Sequence, residues 1–312
     1  MKERLPVITI MGPTGVGKTD LAVSLNEEIS SEIINVDSVQ VYKGMDIGSG
    51  KPSKSTLLIH PHKLLSIIEP WESYSTALFV IDSTREMDLC HRSKKLPILA
   101  GGTMLYFRSL LSGISRMPAA DQTVRAEIVT EAKKMGWQHL HKRLSKIDPE
   151  SALRIHSNDT QRIQRALEVY LISSKTMSEW RQGNQGRELL KSHDIFQFGI
   201  KPESREILRN NIKQRFLRML EEGLVEEVDK LLKMKQMDSN KVSMRSVGYR
   251  QVCDYLEGRL SYEEMVTKAI NATRQLAKRQ MTWLRGWKNL NWVSQDPKVF
   301  IDLIKSKLKF EG

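Results

Sequence analysis

The chain has 312 residues, 40% of them hydrophobic, enough to bury one large domain or a core with an inserted one. Its two cysteines, Cys90 and Cys253, exclude a disulfide framework and a Cys-rich zinc site and suit a reducing cytoplasm. Net charge is +12, no apolar run approaches a membrane span, and no signal peptide is expected before the first strand.

In chain order, Val7–Met11 is a short apolar run that reads as a buried strand. Gly12-Pro13-Thr14-Gly15-Val16-Gly17-Lys18-Thr19 follows it, and the spacing of Leu21, Ala22, Leu25 and Ile29 predicts a helix over 19–29. Strand, glycine loop and helix in succession point a helix N-terminus at an anion. Gly12, Gly15 and Gly17 let backbone N–H groups converge on phosphate oxygens. Lys18 can neutralise their charge, and the Thr19 hydroxyl can hold Mg²⁺.

Ser31–Val36 predicts a second strand ending at Asp37-Ser38, and Leu96–Ala100 another ending at Gly101-Gly102-Thr103, with a helix over 104–111. Ligands bind beyond the carboxyl ends of strands in open parallel sheets, so the loop, Asp37 and Thr103 are expected around one crevice. Asp37 there could ligate Mg²⁺, accept a proton or cap the following turn. The two glycines before Thr103 suggest close approach to a ligand.

Strand patterning stops near Pro118. Val124, Ile128, Ala132, Leu140 and Leu144 recur at helical spacing, and residues 183–186 read as a polar loop. Phe196–Ile200 then predicts a strand rejoining the sheet. Ser204 caps an expected helix with Leu208, Ile212, Phe216 and Leu220 on one face, and Lys213 and Arg215 near its polar boundary. The expected fold is α/β: a P-loop NTPase-like parallel sheet core flanked by helices, with an inserted all-helical subdomain. The core takes residues 1–118 and 196–312, including a basic helical C-terminal part. The insertion takes 119–195.

Charge is concentrated at the C-terminal end. Residues 201–312 hold 23 Lys and Arg against 15 Asp and Glu, which is +8 of the total +12. A polyanionic partner explains such an excess, because each phosphate met by a cation releases condensed counterions. Residues 274–288 carry five basic side chains, no acid, and Trp283 and Trp287, a mixture that suits RNA. The two tryptophans themselves are expected in the core. Arg162 and Arg165 stand one helical turn apart beside Gln161 and Gln164, a set that can meet phosphates and base edges or simply form a solvated face.

GPTGVGKT, DSVQVYKGMDIGSGKP, GGTMLYF, IHSNDTQRIQRALE, RSVGYRQ and ATRQLAKRQMTWLRGW occur in this order from Pro6 to about Trp287. Together they resemble the bacterial tRNA dimethylallyltransferases, the tRNA isopentenyltransferase family. The resemblance implies transfer of a dimethylallyl group from dimethylallyl diphosphate to N6 of the adenosine 3′ of the anticodon, with Mg²⁺ as cofactor and the anticodon stem-loop of tRNA as partner. It implies a cytoplasmic monomer. It places the family's diphosphate loop on Gly12–Thr19, its catalytic Asp on Asp37, the assisting Thr on Thr103 and a diphosphate-contacting Arg on Arg215. Its tRNA contacts fall on Asp37, Ser38, Val39 and Gln40, on Thr103 and Arg125, and on Gln161, Arg162, Ile163, Gln164 and Arg165. They continue on Arg245, Ser246, Val247, Gly248, Tyr249 and Arg250, and on Lys278, Arg279, Gln280, Met281, Thr282, Trp283, Leu284 and Arg285. The common DIGTAKP reads DIGSGKP here, at Ser49 and Gly50, and Leu78 stands where an acidic residue is frequent. The family's eukaryotic C-terminal zinc finger is absent from this sequence. A P-loop kinase of a small metabolite and a non-catalytic RNA-binding module are the alternatives, and neither accounts for six ordered motifs.

Overall fold

Runs of β-branched and other apolar residues, closed by glycine or a short polar residue, set the sheet. In the computed structural model, which describes residues 4–113, 117–182 and 192–308, six strands pair in the order β3-β2-β4-β1-β5-β6. They are β1 (Leu5–Met11), β2 (Ser31–Val36), β3 (His62–Lys63), β4 (Leu96–Gly101), β5 (His193–Ile200) and β6 (Asn291–Val293), and every pairing is parallel. Central strand β1 is buried from Val7 to Met11, as a parallel strand covered on both faces must be.

β5 begins at His193, ahead of the expected Phe196, because it pairs with β1 along its whole length, from Leu5↔His193 to Met11↔Gly199. Its first residues, a buried His193, an exposed Asp194 and a half-buried Ile195, do not form an apolar run, so periodicity did not reveal them. Edge strands β3 and β6, of two and three residues, carry too little pattern to be expected from sequence. The polar loop expected at 183–186 lies outside the described residues.

The described residues form two compact units, 1–110 with 190–312, and 111–189. In the first, α1 (Lys18–Glu28) and α14 (Pro297–Leu308) cover one sheet face, with Leu21, Leu25, Phe300 and Ile304 packed on Ile8, Ile10, Ile33 and Phe198. α2 (Lys54–Ile59), α3 (Thr76–Arg92) and α4 (Met104–Ser112) connect the next strands. α10 (Arg205–Glu221), α11 (Leu224–Leu232), α12 (Tyr249–Leu256) and α13 (Tyr262–Arg285) build a second core around Leu224, Val228, Tyr249, Val252 and Met265, which also takes Val41, Tyr42 and Met45. Ser204 caps α10 as its sequence predicts, accepting the Ile207 N–H at 3.0 Å.

Every regular element of the second unit among its described residues is a helix: α5 (Gln122–Met135), α6 (Trp137–Ile147), α7 (Pro149–Arg154), α8 (Thr160–Ser173) and α9 (Met177–Gln182). Its core joins Ile128, Leu140, Leu144, Ile163 and Leu167. Asp121 and Asp159 cap α5 and α8 through their carboxylates, supplying acceptors that the first-turn N–H groups otherwise lack.

Candidate active site

Strands β2, β4 and β1 are adjacent, so the segments leaving their carboxyl ends converge on one crevice. From β1 comes the 12–19 loop. Gly15 and Gly17 both sit at φ 79°, and Gly17 starts α1 without any side-chain cap, which leaves the first-turn N–H groups available to a ligand. Lys18 folds back so that its ammonium donates to the Pro13 carbonyl at 2.8 Å. Burial lowers the Lys18 pKa to about 8; Arg215 pushes in the same direction and Asp37 opposes it. A bound anion would restore the charged form.

Arg215 reaches the loop from α10. Its Nη1 donates to Thr14 Oγ1 at 2.9 Å and its Nη2 to the Ser49 carbonyl at 3.3 Å. Burial also lowers the Arg215 pKa, against the raising effect of Asp37. The periodicity of α10 puts Arg215 near a polar boundary, and the structure turns it inward beside the phosphate loop.

From β2 comes Asp37. Its Oδ1 accepts the Val39 N–H at 2.8 Å and the Gln40 N–H at 3.4 Å, which is the capping role. No donor among the described residues reaches Oδ2. One oxygen therefore holds the turn and the other is left for chemistry. From β4 comes Thr103, whose Oγ1 accepts the Ser38 N–H at 3.0 Å and lies 3.3 Å from the Ser38 hydroxyl. Thr103 is thereby fastened to the segment that carries Asp37.

Gln280 of α13 ties the sides of the crevice together. Its Oε1 accepts the Thr14 N–H at 2.9 Å and its Nε2 donates to the Gly102 carbonyl at 2.8 Å. A Cβ on Gly102 would stand 2.6 Å from that Nε2, so the glycine admits the Gln280 side chain itself. Sequence reasoning placed Gln280 among RNA contacts; its side chain is buried and acts as a strut. A lone Gln in a basic helix offers no signal for that role. The crevice encloses about 160 Å³ and is lined by Lys18, Thr19, Asp37, Gln40, Arg215 and Gln280 among others. A wider basin of about 610 Å³ opens outside the loop against Gly15–Thr19, Arg215 and Arg218.

The remaining sequence-derived positions divide by burial. Arg245, Arg250, Lys278, Arg279 and Arg285 are exposed, and none is in an ion pair among the described residues. Ile163, Tyr249 and Leu284 are core side chains, so those stretches can face RNA only through their neighbours. Ser246 is held by the Ser243 carbonyl at 2.6 Å, and Val247 and Gly248 line the crevice. Trp283 departs from the core placement expected of it: it is 37% exposed, with the Arg108 guanidinium 5.6 Å from its ring. Trp287 is half-buried and donates from Nε1 to Gln197 Oε1 at 2.8 Å.

In the helical unit, Arg125 and Arg165 are not free surface cations. Both bind the fully buried Glu168 carboxylate, at 2.9 Å and 2.8 Å, and Gln164 donates to the Arg125 carbonyl. Burial alone would raise the Glu168 pKa, but hydrogen bonds from Arg165, Arg125 and the Asp121 N–H outweigh it and hold the carboxyl below its usual range. Two cations against one anion leave an excess positive charge on this face. Arg162 is exposed and, among the described residues, pairs with Asp159 alone, at 3.1 Å.

A parallel α/β sheet with a glycine-rich loop, a carboxylate opposite it and two half-buried cations between them is the arrangement of a P-loop NTPase-like fold. The IPP transferase family model matches residues 40–287, and the isopentenyl transferase model matches residues 5–61. The chain belongs to the IPP transferase family and is a prenyltransferase. A full-length tRNA isopentenylpyrophosphate transferase from Bacillus halodurans is 33% identical, with 97% of each chain covered and a TM-score of 0.71. A tRNA delta(2)-isopentenylpyrophosphate transferase from Staphylococcus epidermidis is 32% identical over 97% of this chain and 99% of that one, with a TM-score of 0.69. A eukaryotic dimethylallyltransferase acting on tRNA is 25% identical over 98% of this chain and 77% of its own, with a TM-score of 0.77. These matches do not favour the metabolite-kinase alternative.

Proposed function

We propose that this enzyme transfers a dimethylallyl group from dimethylallyl diphosphate to N6 of the adenosine 3′ of the anticodon in tRNA, releasing diphosphate. The observation that carries this reading is the free Oδ2 of Asp37, held by its capped partner oxygen in the crevice that also holds Lys18 and Arg215. An exocyclic adenine amine is a poor nucleophile because its lone pair is delocalised into the ring. Asp37 Oδ2 takes its proton as the N–C bond forms. Thr103, tied to Ser38, positions that segment and borders the amine. As the allylic C–O bond breaks, charge grows on the departing diphosphate. The N–H groups of Gly15–Thr19, the Lys18 ammonium and the Arg215 guanidinium stabilise it.

Mg²⁺ fits as a cation shared with the substrate. Among the described residues no group of three or more His, Cys, Asp or Glu could hold a metal by itself, while Thr19 lines the crevice. Mg²⁺ commonly binds through one or two protein oxygens plus phosphate and water. Bound at Thr19 it would neutralise part of the diphosphate charge.

The RNA partner is the anticodon stem-loop, with its target base flipped from the stack. Contacts fall on the 37–40 segment and Thr103, on Arg125 and 161–165 of the helical unit, and on 245–250 and 278–285. The enzyme acts as a cytoplasmic monomer. Among the described residues no helix is long and apolar enough to cross a membrane. The test is transfer of label from dimethylallyl diphosphate to unmodified tRNA with Mg²⁺, run beside ATP turnover. Labelled tRNA is expected. ATP-dependent phosphorylation of a metabolite without tRNA labelling would overturn the reading.

A further inference from the structure

We propose that Glu227 is a positioning residue for the transfer reaction, holding Arg215 against the phosphate loop through the 46–50 turn. The inference rests on the reading of Arg215 as a diphosphate-gripping group. Glu227 stands in the first turn of α11, about 180 residues from that turn in sequence. Its Oε2 accepts the N–H groups of Asp46 at 2.9 Å and Ile47 at 2.7 Å. Its Oε1 accepts the Gly48 N–H at 3.1 Å and the Tyr249 hydroxyl at 2.6 Å. These four donors fill the roughly four acceptor sites of a carboxylate. Tyr249 is fully buried, and burial together with the Glu227 charge raises its pKa, so it remains a donor.

With three consecutive N–H groups fixed on one anion, the turn presents its next carbonyls to the crevice. The Ser49 carbonyl accepts Arg215 Nη2 at 3.3 Å and Gln40 Nε2 at 3.2 Å, and the Gly50 carbonyl accepts Gln40 Nε2 at 3.0 Å. Gly50 takes a left-handed φ of 64°, and the space a Cβ would need there is filled by the Arg215 guanidinium. The other end of that guanidinium holds Thr14 Oγ1 at 2.9 Å. A continuous path of hydrogen bonds thus runs from Glu227 through the turn to Arg215 and the phosphate loop. Glutamine cannot replace Glu227, because each carboxylate oxygen takes two donors and an amide NH₂ would face two of them in either orientation.

The test is calorimetric binding of inorganic diphosphate with Mg²⁺ to the full chain as wild type, Glu227→Gln, Arg215→Ala and the double variant. Glu227→Gln is expected to weaken binding about ten-fold, or 1.4 kcal/mol, and Arg215→Ala at least as much. The double variant should bind no more weakly than Arg215→Ala alone, because Glu227 acts through Arg215. A double variant weakened by the product of the two effects would make Glu227 a general stabiliser and overturn the inference. So would Glu227→Gln at wild-type affinity beside a weakened Arg215→Ala. Arg215→Ala at wild-type affinity would remove the reading of Arg215 itself, and this inference with it. If Glu227→Gln does not fold, Tyr249→Phe withdraws one of the four donors. It should give a smaller weakening that vanishes in the Arg215→Ala background, and additivity there would overturn the inference equally.

Discussion

Replacing Asp37 by Asn separates proton acceptance from geometry. Oδ1 of Asp37 holds the Val39 and Gln40 N–H groups, and no donor among the described residues reaches Oδ2. An Asn with its amide oxygen turned toward Val39 keeps that arrangement. Asn and Asp cap about equally well, so the folding cost is below about 1 kcal/mol. The amide nitrogen then occupies the position of the proton acceptor. Loss of a general base typically costs on the order of 10²–10⁴ in rate, about 2.7–5.4 kcal/mol of barrier. The assay is single-turnover transfer to tRNA at saturating dimethylallyl diphosphate. Because the Asp37 charge raises the Lys18 pKa, the variant lowers it further from about 8. The comparison therefore belongs near neutral pH or slightly below, at about pH 6.5–7, where Lys18 stays an ammonium. Diphosphate affinity should then change little. If the variant instead loses Mg²⁺-dependent diphosphate binding and excess Mg²⁺ restores the rate, Asp37 is a metal ligand and the general-base reasoning fails.

The lowered pKa of Lys18, about 8, makes its contribution to diphosphate affinity, once the ligand's own ionisation is corrected for, flat below that pH and falling above it, since a neutral Lys18 must take up a proton when the anion binds. Calorimetry of inorganic diphosphate at a series of pH values checks this, and a curve level through pH 8 would refute it. Gln280→Leu strands the Thr14 N–H and the Gly102 carbonyl inside the crevice. It should cost about 2–6 kcal/mol in thermal or denaturant unfolding, less to the extent that water reaches the two groups, and weaken diphosphate binding as well, because each unpaired buried group carries about 1–3 kcal/mol of desolvation penalty. Unchanged stability would mean that the strut is replaceable. Lys278→Ala with Arg279→Ala should weaken tRNA binding and flatten its salt dependence by about one unit for each phosphate that no longer meets a cation. An unaltered slope in filter binding would make that face ordinary solvated surface.

The order strand, glycine loop, helix was legible from the sequence, because positive-φ glycines and a buried apolar run are local requirements that a short string must meet by itself. The convergence of Asp37 and of Gly101-Gly102 on the crevice beside that loop was legible too. Parallel strands end on the same side, and short runs such as Ser31–Val36 and Leu96–Gly101 reveal where they stop. The helix cap at Ser204 belongs to the same class of short-range signal.

Only the tertiary structure decided which oxygen of Asp37 holds the turn and which is free, and that Gln280 braces the crevice from 266 residues away along the chain. It also decided that Tyr249 is a core side chain answering Glu227, and that Arg125 and Arg165 share one buried carboxylate. Trp283, expected inside, is placed outside under Arg108. The physical reason is common to these cases. A polar side chain on a helix can serve equally as a solvated group, an RNA contact or a buried strut. Its choice depends on which donors and acceptors distant segments leave unpaired, and no periodicity encodes that.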